Sequence, residues 1–128
     1  MVLDSSAILA LFTNEPGHER LYALMKDRGP YLVSAPNLFE SLMVINSRFG
    51  ETGANQMLKF LNELGVEAVP FTPEHVSDAV EAFRRYGKGH HPARLNFGDC
   101  MAYAVAKRSG YPLLYVGNDF DATDIKRA

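Results

Sequence analysis

Four acids stand where a carboxylate needs a reason. Asp4 falls between the apolar start "MVL" and the apolar run "AILALF", and burying an unpaired ion there is costly unless something compensates its charge. Glu40 is flanked by Leu38, Phe39, Leu42 and Met43, Asp99 opens "DCMAYAVAK", and Asp119 comes shortly after "PLLYV". If folding gathers Asp4, Glu40, Asp99 and Asp119, the charges repel and at least one pKa must rise, unless cations neutralise them. Oxygen-only donors suit hard divalent ions such as magnesium or manganese. Each acid also has a structural reading. Asp4 could cap the following helix, Glu40 could be a solvated helix position, and Asp99 could compensate a helix dipole.

Other residue types carry weaker chemistry. The stretch "RRYGKGHHPAR" supplies Arg84, Arg85, Lys88 and Arg94, with no acid from Arg84 through Gly98. It is either solvated surface or, just ahead of Asp99, a place to grip backbone phosphates. His90 and His91 are adjacent imidazoles with no cysteine beside them, a poor zinc pair. Cys100 stands alone, so it implies neither a disulfide framework nor a cysteine-rich zinc site. A phosphatase C-x5-R loop would need arginine where Ala106 stands, so Cys100 reads as a small buried hydrophobe. Tyr86 and Phe97 read as packing, with base stacking as the alternative. An aspartyl-nucleophile phosphatase would want a second aspartate where Ser6 stands.

Positioning these residues requires strands and helices in alternation. Apolar strands are expected at 1–4, 31–34, 66–71 and 112–116. Helices are expected at 5–12 with Ser5 or Ser6 as cap, and at 14–29, opened near Pro16 and closed at Gly29. Further helices are expected at 35–50, 53–65, 72–87 and 97–110, with a loop at 88–96 and an irregular tail from 117. Val76, Ala79, Val80 and Phe83 fall on one face of the 72–87 helix. This order indicates an α/β fold with a mainly parallel sheet, and such sheets bind ligands outside the carboxyl ends of their strands. Asp4 and Asp119 would then share that edge.

Bulk properties narrow the class. A chain of 128 residues, 47% hydrophobic and 22% charged, is long enough for one ordinary globular domain. A net charge of −2 excludes a generally basic nucleic-acid binder and leaves only a local patch. No apolar run approaches the ~20 residues of a membrane span, and the start lacks a basic leader, so a cytoplasmic protein is expected. Leu38, Phe39, Leu42, Met43, Val44, Ile45 and Phe49, with Met57, Phe60 and Leu61, exceed one buried stripe and indicate a deep core position or a self-association face.

The segments "VLDSSAILA", "NLFES", "LNFGDCMAYAVAK" and "LLYVGNDFDATDI", in this order, resemble the PIN domain, more narrowly the VapC-type ribonuclease toxins of VapBC toxin–antitoxin pairs. The resemblance runs the length of the chain. It implies a three-layer α/β fold and hydrolysis of RNA phosphodiesters with Mg2+ or Mn2+, leaving 5′-phosphate and 3′-hydroxyl ends. It places the family's acidic quartet on Asp4, Glu40, Asp99 and Asp119, with Asp4 and Asp99 as direct metal ligands and Ser6 as the accompanying hydroxyl. The ending "GNDF" departs from the family's T-x-D-x-x-F pattern, so Asp121 and Asp124 stand as rivals to Asp119. The resemblance further implies a homodimer and a VapB-type antitoxin that blocks the acidic pocket and itself binds operator DNA. The competing reading is a catalytically silent RNA-binding module with the same fold.

Overall fold

Strand alternation sends Val2 and Leu3 to opposite faces of a sheet, and both residues are fully buried. That pair divides the molecule. In the computed structural model, which describes residues 1–26 and 29–128, the elements run β1 (Val2–Leu3), α1 (Ser5–Phe12), α2 (His18–Met25), β2 (Tyr31–Ser34) and α3 (Ala35–Glu63). They continue with β3 (Val66–Val69), α4 (Pro73–Tyr86), α5 (Phe97–Ser109) and β4 (Leu113–Leu114). Among the described residues the strands form a four-stranded sheet in the order β3-β2-β1-β4, parallel at every pairing. Leu3, Val33 and Leu114 pack with α1, α2 and α3 on one face, and Val2 and Leu113 pack with α4 and α5 on the other. The fold is the expected three-layer α/β arrangement.

The chain steps outward from β1 to β2 to β3 and then returns to the far side of β1 as β4. The crevice at the carboxyl end of β1 is therefore the switch point where such sheets take ligands. α5 lies across this region, and every residue from Gly98 to Ala106 is buried. A helix apolar on all sides belongs inside.

Several boundaries differ from those expected. Asp4, rather than Ser5 or Ser6, caps α1. α2 opens after Gly17 and ends at Met25, shorter than 14–29, and residues 27–28 of that expected helix lie outside the described residues. The expected helices 35–50 and 53–65 form one element, kinked where Gly50 adopts φ 70° and ψ −170°, a backbone state that favours glycine. On α4 the buried residues are His75, Ala82 and Tyr86, while Val76, Val80 and Phe83 are exposed. The tail is not irregular to its end: Leu113 N–H donates to the Lys126 carbonyl and Ala128 N–H to the Leu113 carbonyl, both at 2.9 Å, covering the outer edge of β4. No helix among the described residues is long and apolar enough to cross a membrane.

Candidate active site

Asp4 leaves β1 at the switch point and is only 6% exposed. Its Oδ2 accepts from the Ser6 backbone N–H at 3.0 Å and from the Ser6 hydroxyl. That hydroxyl oxygen in turn accepts from Val116 N–H at 3.1 Å. Ser6 thus fixes the rotamer of Asp4 and ties it to the segment leaving β4. Burial, followed by the nearby charge of Glu40, raises the Asp4 carboxyl above its ordinary range against the opposing Ser6 bonds. The capping role and the position at the ligand-binding edge belong to the same side chain.

Asp99 is the third residue of α5 and is 8% exposed. A capping box holds it: Asn96 N–H donates to Asp99 Oδ2 and Asp99 N–H to Asn96 Oδ1, both at 2.9 Å. Oδ1 receives no hydrogen bond among the described residues. Burial first, and then the charges of Asp4, Asp119 and Glu40, push this carboxyl up to about 6 against the Asn96 bond. Asp99 therefore feels all three other acids of the set.

Glu40 reaches the site from α3 and is half-buried. A Cβ built on Gly98 would meet Glu40 Oε2 at 2.5 Å, so the carboxylate lies flush against the backbone just before Asp99. Asp119 is exposed on the loop after β4. The folded chain brings the four acids to one edge, close enough for their charges to act on one another. It does not enclose a cation with them: among the described residues no three acids, histidines or cysteines close around one point. What the edge offers is oxygen donors, the ligand chemistry of hard divalent ions such as magnesium or manganese. The Cys100 thiol nearby is held up to about 11 by burial and then by the Asp99 charge.

The rival acids carry partners of their own, although Asp121 also lines the cavity on which Asp119 lies. Asp121 accepts from Tyr115 OH at 2.6 Å and Arg127 Nη1 at 2.9 Å. Asp124 accepts from Tyr103 OH and Lys107 Nζ, each at 2.7 Å, and faces Arg85 at 3.6 Å. Arg85, of the expected phosphate-gripping set, therefore has a partner in the tail. Among the described residues, Lys88 and Arg94 make no such pairing with the tail acids. With Asn96, Asn118 and Asp119 they line a cavity of about 610 Å³, and Arg84 is not on its wall.

Phe97 departs from the packing role expected of it, being 81% exposed beside Asp99, whereas Tyr86 is buried against Tyr103 and His91. On α3, Ile45, Met57 and Leu61 are core, while Phe39, Met43 and Phe49 face outward. Two residues at the site escaped sequence reasoning. Gly98 carried a signal only in preceding Asp99, and Asn37 only as a lone amide one helical turn before Glu40.

Residues 1–126 match the PIN domain family. The chain is 42% identical to the VapC ribonuclease Mb0640 of Mycobacterium bovis over 125 residues, which are 98% of this chain and 95% of that protein. Its structure is similar to that of VapC20 of Mycobacterium tuberculosis, a sarcin-ricin loop cleaving toxin, with a TM-score of 0.78 and 21% identity over 99% of this chain and 97% of that one. It is also similar to a chain of VapBC2 from Rickettsia felis bound to a DNA fragment from the promoter, with a TM-score of 0.74 and 15% identity over 98% and 94% of the two chains. Near-full-length identity, a whole-chain family match and a shared parallel sheet give one result: the chain belongs to the PIN-domain family, among its VapC ribonucleases.

Proposed function

We propose that the protein is a divalent-metal-dependent endoribonuclease, the toxin of a VapBC toxin–antitoxin pair. The observation that carries this reading is the pair Asp4 and Asp99. Both are almost fully buried, come from distant parts of the sequence, and are raised above the ordinary carboxylate range at one sheet edge. Asp4 and Asp99 would hold Mg2+ or Mn2+ directly, with Glu40 and Asp119 as further ligands or as groups orienting the attacking water. When bound, such an ion makes hydroxide available near neutral pH and offsets charge on the scissile phosphate. Ser6 keeps Asp4 from turning away, and the Asn96 bond occupies Asp99 Oδ2 and leaves Oδ1 without a hydrogen bond among the described residues. Lys88 and Arg94 would hold the flanking phosphates, and attack by water leaves 5′-phosphate and 3′-hydroxyl ends.

The partners follow from the same reading. A VapB-type antitoxin would cover the acidic edge and contact operator DNA in its own right. Outward apolar side chains on α3 and α4 suit assembly of a homodimer, a state that sedimentation of the purified protein reads directly. The deciding experiment incubates purified protein with labelled structured RNA and manganese, with and without EDTA, beside Asp99→Asn. Cleavage that EDTA and the substitution both abolish is expected. Metal-independent binding with no cleavage would identify a silent RNA-binding module instead.

A further inference from the structure

We infer that Asn37 is a positioning residue that locks the acid-bearing ends of α1, α3 and α5 together, setting where Glu40 lies relative to Asp99. The inference rests on the proposed function for its catalytic consequence, but its structural content stands alone. Asn37 is 1% exposed, and its contacts reach three elements. Its Nδ2 donates to the Gly98 carbonyl at 3.0 Å and to Ser5 Oγ at 3.3 Å. Its Oδ1 accepts from the Ser34 hydroxyl, whose oxygen also accepts from Asn37 N–H at 3.0 Å. The Asn37 carbonyl accepts from Ser5 Oγ at 3.2 Å and Ser41 Oγ at 2.9 Å.

The placement of these partners is what matters. Ser5 follows Asp4, Gly98 precedes Asp99, and Asn37 lies one turn before Glu40. Two acids, Asp4 and Asp99, are thus chain neighbours of residues hydrogen-bonded to one buried amide, and a third, Glu40, lies one turn along the same helix. Only a side chain with two donors and an acceptor satisfies this junction. Aspartate could not donate to the Gly98 carbonyl, and leucine of similar size would leave buried polar partners unpaired. Gly98 completes the device, since a Cβ there would occupy the Glu40 carboxylate position. The amide draws α5 onto α3, and the glycine lets the two meet.

The test compares Asn37→Leu with Met57→Ala, a core change on α3 beyond the Gly50 kink. Both should lower the melting temperature. In metal-free protein, only Asn37→Leu should speed amide hydrogen exchange in the first turns of α1 and α5. Manganese affinity, read by electron paramagnetic resonance without RNA, should weaken by about 10-fold or more in Asn37→Leu, as for loss of an outer-shell partner. It should hold in Met57→Ala, and kcat should fall in Asn37→Leu with little change in KM. If Asn37→Leu does not fold, the milder Asn37→Ser and Gly98→Ala carry the same comparison. Exchange and manganese affinity matching those of Met57→Ala would overturn the inference. A wild-type protein that neither binds manganese nor cleaves RNA would instead sink the proposed function, with the exchange data still judging the junction.

Discussion

At the carboxyl edge of the sheet, Asp4 and Asp99 face other acids, and burial together with those charges holds both carboxyls high. A short distance along the chain, Asp124 is also pushed upward by burial. There the hydrogen bonds from Lys107 and Tyr103, with the charges of Lys107 and Arg85, outweigh it and hold the carboxyl at about 2. Asp121, likewise, has Arg127. The residue type is the same in both regions, and what differs is whether the chain supplies the cation. An acid given its own lysine or arginine fastens the tail. Acids gathered without a lysine or arginine bonded to them keep their mutual repulsion, and under the proposed function a divalent ion would relieve it.

The largest expected effect is on cleavage. Asp99→Asn keeps the oxygen that accepts from Asn96 and removes the charge. Activity on labelled RNA should fall by more than ~100-fold, beyond the range for losing an outer-shell partner, while the metal-free protein melts at a higher temperature than wild type. Normal cleavage by this variant, with an unaltered response to metal, would break the contrast between the two regions. Manganese should raise the melting temperature of wild type through preferential binding to the folded state, and should do so much less in Asp99→Asn.

Next comes the choice among the tail acids. Asp119→Asn should cost about 10-fold or more in cleavage if it completes the metal's surroundings. Asp124→Asn should leave cleavage intact and lose only the ~0–1 kcal/mol of an exposed ion pair. A reversed pattern would reassign the fourth acid. Smaller still, Lys88→Ala or Arg94→Ala should raise KM with kcat unchanged. Each should lower the slope of log affinity against log salt by about 0.7, the value for one contact to single-stranded phosphate.

The subtlest effect is on stability against pH, where the two regions should move in opposite senses. Asp99 stands at about 6 folded against an ordinary 3.8. Below about pH 4 the group is protonated in both states. Between about 4 and 6 the folded form retains a proton that the unfolded chain has lost, so this contribution to stability falls as pH rises. For Asp124, at about 2 folded, stability is present above the ordinary 3.8 and is lost as pH falls toward 2. Melting curves of metal-free wild type, Asp99→Asn and Asp124→Asn across this range separate the two contributions by difference.

Much of this was legible before folding because it is local. Period and caps set the alternation of strands and helices, and a parallel sheet followed from the alternation. Asp4 stood out because a strand-end acid between apolar runs has few uses, and the basic stretch stood out by composition. The apolar stripe of α4 shares one face as its spacing indicates, but that face looks outward. Val76, Val80 and Phe83 have the spacing of a core face, yet α5 packs on the side that presents His75, Ala82 and Tyr86. Helical period fixes which residues share a face, not which face finds a partner. Asn37 was silent for a related reason, since all its meaning lies in Ser5 and Gly98, 32 and 61 residues away.

By itself the sequence determined the inventory: which acids exist, on which kind of element each rides, and that the parallel strands would end on a common side. Tertiary structure alone decided which carboxylates face each other and which find a cation. Charge interaction falls with distance and rises with burial, and neither quantity exists until remote segments have packed. Asp119 and Asp124 are five residues apart and chemically identical, and only the positions of Asp99, Lys107 and Tyr103 around them make one part of a charged edge and the other a fastening for the tail.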